Sequence, residues 1–265
     1  MRTGRVFLDD AGPVLAFAHR GGARHPDLEG LENTRAAFVH AAGLGYTYLE
    51  TDVHLTRDGV LVAFHDPLLE RVTDGAGSIE ERDAADLAEL RVGGREPVPT
   101  LLDLVTALPG ARFNIDLKSD AAVAPLAAFV REHALDDRVL VGSFSLRRLR
   151  RFRRLTGHRV ATSASPAEVA AYAVLPGRLA RRLARRPAAL QVPHRVGRLP
   201  VAGRRLVARA HAAGLHVHVW TVDDADEMRQ LLDRGVDGLM TDRTDILRDV
   251  LRERGLWPDD VPSEA

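Results

Sequence analysis

Short apolar, β-branched runs alternate with longer stretches of helical periodicity along the whole chain. The runs lie at 14–19 (VLAFAH), 46–55 (YTYLETDVHL), 60–65 (VLVAFH), 112–118 (RFNIDLK), 138–144 (RVLVGSF), 159–164 (RVATSA), 189–194 (ALQVPH), 216–222 (HVHVWTV) and 237–241 (DGLMT). Most are too short for a helix and are bounded by polar or glycine breaks, which predicts strands. Helical patterns fall between them. ENTRAAFVHAAGLG starts at an asparagine–threonine cap and ends at Gly43 or Gly45, and PLAAFVREHAL, LRRLRRFRRL, RRLVARAHAAG and ADEMRQLLDRG follow. Alternation at this frequency predicts parallel β/α architecture. Nine strand candidates fit a single closed (β/α)8 barrel of the TIM type if 46–55 and 60–65 form a hairpin-like pair or one of them is an extra. A doubly wound open sheet shares the same alternation. No repeat or linker interrupts the pattern, so one domain over residues 1–265 is expected, with its core at about 14–250 and a loose tail at 256–265 (LWPDDVPSEA).

Polar residues at the strand ends carry the chemistry. The first strand ends in His19-Arg20-Gly21-Gly22. The second carries Glu50 and Asp52, two residues apart and therefore on one face. His54 continues that face. The segment 60–65 ends in His65-Asp66-Pro67, and 112–118 carries Asp116 and Lys118, again at i, i+2. In a β/α barrel such groups converge at the C-terminal ends of the strands. Two histidines, three carboxylates, an arginine and a lysine would then share a pocket. Three inward carboxylates repel unless a cation neutralises them, and oxygen ligands favour a hard ion such as Mg²⁺ or Ca²⁺. Arg20 and Lys118 suit a phosphate. A histidine pair suits proton transfer near neutral pH.

Composition narrows the partners. The chain carries 37 basic and 37 acidic residues, so no global pull toward nucleic acid is implied. Among the basic residues only Lys118 is a lysine, which singles it out. Cysteine is absent, which excludes disulfides, thiolate metal sites and a cysteine nucleophile. Neither a leader-like N-terminus nor a spanning apolar run is seen, and a cytoplasmic location is expected. The arginine clusters 147–154 and 178–186 read as solvated helix faces, with weak peripheral membrane contact as the alternative. The oligomeric state is not encoded in any pattern of this sequence.

The motifs, taken in order, resemble the glycerophosphodiester phosphodiesterase family of TIM-barrel phosphodiesterases. The matching stretches are AHRGG, LENTRAAF, YTYLETDVHLTRDGVLVAFHDPLLERVTDG, VPTLLDLV, NIDLK, VGSF and GLHVHVWTVDDADEMRQLLDRGVDGLMTDRTD, from about residue 16 to 246. The resemblance implies metal-dependent hydrolysis of a glycerophosphodiester to sn-glycerol 3-phosphate and an alcohol. It implies that His19 and His65 form the acid–base pair, that Arg20 and Lys118 bind phosphate, and that Glu50, Asp52 and Asp116 hold one divalent cation. Trp220 would line the glycerol or leaving-group side, and Glu32, near the rim with Asn33, would also bind substrate. Two positions depart from the family pattern: Asp116 stands where glutamate is usual, and Leu31 where proline is usual. The runner-up readings are cleavage of lysophospholipids or sphingolipids, which predicts an apolar pocket mouth, and a barrel that binds phosphodiesters without cleaving them.

Overall fold

A computed structural model describes residues 6–9, 12–184, 187–197 and 199–257. Its strands are β1 (Leu15–His19), β2 (Tyr48–Leu55), β3 (Leu61–Ala63), β4 (Arg112–Leu117), β5 (Val139–Gly142), β6 (Ala161–Thr162), β7 (Ala189–Pro193), β8 (Arg195–Val196), β9 (Leu199–Pro200), β10 (His216–Trp220) and β11 (Gly238–Thr241). Eight of them pair in parallel in the order β6-β5-β4-β2-β1-β11-β10-β7. The two ends of that order meet. Ala188 N–H donates to Thr162 O at 2.8 Å, and Ala164 N–H donates to Ala189 O at 2.9 Å. The result is a nearly closed barrel with helices between the strands, not the open doubly wound sheet, which would leave both edges unpaired. The strand β3 pairs antiparallel with β2, as the hairpin expectation for 46–55 and 60–65 has it. The sequence pattern missed the small β8–β9 hairpin and several helices, including Pro166–Val174 and Thr244–Glu253, whereas the helix expected at the second arginine cluster is present as Gly177–Leu183. Of the 256–265 tail, residues 258–265 lie outside the described residues, as do Arg185 and Arg186 of the second arginine cluster.

Strand parity sorts the side chains into two apolar layers. Leu49 and Val53 of β2, Phe113 and Ile115 of β4 and Val217 and Val219 of β10 are buried in the large cluster between strands and helices. The opposite parity fills the barrel interior, where Leu15, Phe17, Tyr48, Leu140 and Met240 form a separate cluster. Phe7 joins that cluster and is fully buried. Its carbonyl accepts hydrogen bonds from Tyr48 Oη–H at 3.0 Å and Arg112 Nη1–H at 2.8 Å, so the short helix Val6–Asp9 plugs the N-terminal end of the barrel. Following the inward parity along β2 leads from Tyr48, in apolar surroundings, to Glu50 and Asp52 at the other end. The core thus fixes which end carries charge.

The arginine-rich helix Leu146–Leu155 departs from a fully solvated face. Leu149, Phe152 and Arg153 form its buried stripe, because position 153 meets Glu168 across the adjoining helix Pro166–Val174. Arg148 pairs with Asp120 at 2.7 Å. Among the described residues no helix is long and apolar enough to cross a membrane.

Candidate active site

The turn after β1 sets the site. Arg20 (φ 49°) and Gly22 (φ 87°) occupy the left-handed region, and Gly22 N–H closes the turn onto His19 O at 2.8 Å. A Cβ at Gly22 would lie 2.6 Å from Thr244 Cγ2 and 2.9 Å from Thr244 Oγ1. Gly22→Ala is therefore expected to destabilise the protein by about 1–3 kcal/mol, from backbone strain alone, with the clash adding to it. Urea unfolding checks this, and an unchanged midpoint would contradict it.

Register brings the acids and histidines level with one another. His19 pairs with Glu50 across β1–β2, and Asp52 pairs with Asp116 across β2–β4. His19, Arg20, Glu50, Asp52, His65, Asp116, Lys118 and Trp220 all line one cavity of about 450 Å³ at the C-terminal ends of the strands. Its opposite wall is apolar, with Val169, Val192, Pro193 and Val201, and Phe144 stands edge-on to Trp220 at 5.8 Å between ring centroids.

Each histidine is anchored through the same ring nitrogen. His19 Nδ1 lies 2.8 Å from Asp242 Oδ1, and its Nε2 is 3.7 Å from Glu50 Oε2. His65 Nδ1 lies 2.5 Å from Asp66 Oδ1. Burial opposes the charged form of His19, but Glu50 and Asp242 outweigh it and hold the ring above the ordinary histidine range. The anchors were not singled out in the sequence. Asp66 was visible in HDP, and Asp242 in the TDRTD stretch, but neither position carries a pattern that says it faces an imidazole. Arg71 is a further addition. Its guanidinium reaches both oxygens of Glu32, at 2.8 and 2.6 Å, and also pairs with Asp66. It thereby ties the rim carboxylate Glu32 to the anchor of His65.

The cations and acids interlock. Arg20 reaches Glu32 Oε1 through Nη1 at 3.1 Å and lies 3.3 Å from Asp52 Oδ2 through Nε. Lys118 Nζ bridges Asp52 Oδ1 at 2.9 Å and Asp116 Oδ2 at 2.7 Å. Asn33, in a left-handed conformation (φ 59°), donates to Asp52 Oδ2 at 3.0 Å and accepts from Thr51 Oγ1–H at 2.8 Å. Burial works against ionised Asp52, but Lys118 and Arg20 prevail and hold its carboxyl below the usual range. Glu50 differs. Burial and the adjacent Asp52 push it up to about 7, and among the described residues its one hydrogen-bond donor is the Arg20 amide at 3.2 Å. A buried, under-compensated carboxylate beside a second acid, Asp52, is the environment a hard divalent cation relieves, although the oxygens of Glu50, Asp52 and Asp116 do not all come within 4.8 Å of one another. The oxygen donor set of Glu50, Asp52 and Asp116 fits such an ion in chemistry, with Lys118 standing between the two aspartates.

His54 takes a different place from the one its parity suggested. Beyond Asp52 the strand β2 runs alongside β3, and His54 Nε2–H donates to His65 O at 3.2 Å. The ring supports the His65 segment and does not line the cavity. Leu31, at the usual proline position, is buried with Leu28 and Ala37.

Comparison with known proteins now places this geometry. Residues 19–246 match the model of the glycerophosphoryl diester phosphodiesterase family. The chain belongs to the glycerophosphoryl diester phosphodiesterase family. Family membership carries the activity class, hydrolysis of phosphoric diesters. Among relatives, the chain is 44% identical to the "Probable glycerophosphodiester phosphodiesterase 2" of Mycobacterium tuberculosis, over 93% of this chain and 94% of that one. It is 26% identical to a lysophospholipase D of Homo sapiens, over 89% of this chain and 85% of that one. Among solved structures, it resembles an Oleispira antarctica phosphodiesterase in complex with the product sn-glycerol-3-phosphate, with a TM-score of 0.73 and 25% identity over 90% of this chain and 96% of that one. A glycerophosphodiester phosphodiesterase from Agrobacterium tumefaciens gives a TM-score of 0.72 at 25% identity, covering 88% of this chain and 98% of that one.

Proposed function

We propose that this cavity hydrolyses glycerophosphodiesters to sn-glycerol 3-phosphate and an alcohol, in a metal-dependent reaction with His19 and His65 as the acid–base pair. The observation that carries the proposal is that two imidazoles, each held at Nδ1 by a carboxylate, line the same cavity as three acids and two cations. Fixing Nδ1 leaves Nε2 of each ring for proton transfer. One Nε2 takes a proton from the nucleophile, either water or the substrate's own 2-hydroxyl, in which case water then opens the resulting cyclic phosphate, and the other gives a proton to the departing alcohol. Arg20 and Lys118 orient the phosphate and offset charge that develops on its oxygens. Glu50, Asp52 and Asp116 would hold the divalent cation, Mg²⁺ or Ca²⁺, which supplies Lewis-acid polarisation of the phosphate when bound. Trp220 lines the side on which the glycerol or the leaving group rests, and Glu32 keeps Arg20 in position.

Release of glycerol 3-phosphate from glycerophosphocholine tests the reading. Activity is expected to fall to background after treatment with a chelator and to return on addition of Mg²⁺ or Ca²⁺. Turnover indifferent to chelation would refute the metal dependence, and absence of glycerol 3-phosphate would refute the substrate class.

A lysophospholipid substrate is the second reading, and the apolar mouth favours it. Phe144 is 64% exposed and Val196 63% exposed, and both line the cavity. Leu199, on the same hairpin as Val196, is 74% exposed. Comparable kcat/KM on glycerophosphocholine and on its long-chain acyl counterpart would support it, whereas loss of activity with the acyl chain would exclude it.

A further inference from the structure

Away from the cavity, the segment after β1 and the helix Arg35–Gly43 bring two imidazoles and a carboxylate together. Donor atoms of His25, Asp27 and His40 all lie within 4.8 Å of one another, and among the described residues no other group of three or more histidines and acids does so. His25 Nδ1 is 3.7 Å from Asp27 Oδ2, and His40 Nε2 is 3.8 Å from the same oxygen. The two rings are 4.4 Å apart between centroids, at 58° to each other. From these contacts we infer that His25, Asp27 and His40 form a second cation site, selective for a first-row transition ion such as Zn²⁺, which fastens the loop after β1 to the helix Arg35–Gly43.

The donor set decides the class of ion. Two imidazole nitrogens and one carboxylate oxygen suit Zn²⁺ or its neighbours, whereas Mg²⁺ and Ca²⁺ prefer oxygen alone. The spacing is close to what such an ion needs. Bonds of about 2.0–2.2 Å in tetrahedral geometry put ligand atoms about 3.3–3.6 Å apart, so each nitrogen needs to close on Asp27 Oδ2 by only a few tenths of an ångström, while the two ring nitrogens lie within 4.8 Å of each other. The ligands are also pre-aimed. The Asp27 backbone amide donates to His25 Nδ1 at 3.2 Å, so this ring nitrogen carries its lone pair and lies on the side of residue 27. An ion takes the place of that long hydrogen bond. On His40, Nδ1 is buried without a hydrogen-bond partner, so Nε2 is the atom the ring turns toward Asp27. His40 lies in the last turn of its helix, where the backbone dipole favours a cation. The side chains of His25 and His40 are 12% and 28% exposed and that of Asp27 is 75% exposed, which leaves a path for the ion and a position for water as fourth ligand. From the helix Thr244–Glu253, Asp245 and Arg248 act on the two imidazoles with opposite sign, and each is already in an ion pair, with Arg243 and Asp249 respectively.

The consequence is mechanical. Arg20, Glu32 and Asn33 flank this cluster along the chain, and the first two bind each other at the cavity mouth. An ion at His25, Asp27 and His40 cross-links the start of that loop to the helix that follows it.

Co²⁺ is a suitable probe, because a tetrahedral site with nitrogen ligands gives visible d–d absorption and an oxygen-ligated octahedral site gives little. The chelator-treated full chain is titrated with Co²⁺ in the presence of excess Mg²⁺. One equivalent is expected to bind with tetrahedral absorption and to be displaced by Zn²⁺. His25→Ala and His40→Gln are each expected to weaken binding at least about tenfold, as loss of a ligand should exceed loss of an outer partner, and Asp27→Asn gives a third variant on an exposed residue. Zn²⁺ is expected to raise the Tm of the parent protein and not that of the variants, while the variants keep their Mg²⁺-supported hydrolysis. Absence of the absorption in the parent, or its retention at parental affinity in His40→Gln and Asp27→Asn, overturns the inference.

Discussion

His19→Ala is expected to lower kcat on glycerophosphocholine by about 10²–10⁴-fold, the usual contribution of a positioned proton-transfer group. The imidazole is 14% exposed, its Nδ1 is taken up by Asp242, and its Nε2 faces Glu50 across the floor of the cavity. Alanine removes the proton carrier and leaves the surrounding β1–β2 pairing in place, since that pairing runs through the backbone. Far-UV circular dichroism and the unfolding midpoint should therefore stay close to those of the parent while turnover collapses. Asp242→Asn should reduce kcat less than His19→Ala does. It keeps a polar partner at Nδ1 but removes the charge that steadies the protonated ring and the preference for one tautomer. Parental turnover in His19→Ala, measured on folded protein, would remove this histidine from the reaction.

The largest effect on stability is expected at a place with no direct part in the chemistry. Arg153 and Glu168 are 2% and 3% exposed and form a two-pronged ion pair, with contacts of 2.6 and 3.1 Å. The same guanidinium donates to Thr162 Oγ1 at 2.8 Å and to Ser163 O at 3.0 Å, and Glu168 also accepts from the Ser165 amide at 2.9 Å. The pair thus joins the helix Leu146–Leu155 to the end of β6 and to the N-terminus of the helix Pro166–Val174. Removing one partner strands the other charge without water, at a cost of about 3–5 kcal/mol. Arg153→Ala and Glu168→Ala should each lower the midpoint of urea unfolding accordingly. A combined Arg153→Met/Glu168→Leu protein should lose much less, because neither charge then remains buried. If either single replacement left the midpoint unchanged, the pair would not be the clamp described here.

The candidate site divides by how local its signals are. His19, Glu50, Asp52, His65, Asp116 and Lys118 were legible because each sits at a strand end in a short run, and because parity alone puts Glu50 with Asp52 and Asp116 with Lys118 on one face. Asp242 was not, because its partner His19 lies 223 positions away and no spacing rule spans that distance. Arg71 was hidden among arginines, and only the approach of Glu32 and Asp66 distinguishes it. Asn33 read as a helix cap candidate. Of that asparagine–threonine pair Thr34 is the cap, accepting from the Ala37 amide at 3.2 Å, and Asn33 holds Asp52. His54 shows the limit of parity: it follows Asp52 at the same spacing, but its ring turns to His65 O and does not line the cavity.

By itself, then, the sequence determined the alternation of strands and helices, the faces on which the strand-end acids lie, and the family to which the chain belongs. Periodicity and short motifs are properties of neighbouring residues, and neighbours are what a linear chain specifies. Closure of β6 on β7, the carboxylate behind each imidazole, the inward turn of Arg153 and the meeting of His25 with His40 were decided only in three dimensions. Closure of β6 on β7 and the approach of Asp242 to His19 depend on the barrel bringing remote residues within hydrogen-bond reach, and the inward turn of Arg153 depends on burial making the satisfaction of its charge obligatory.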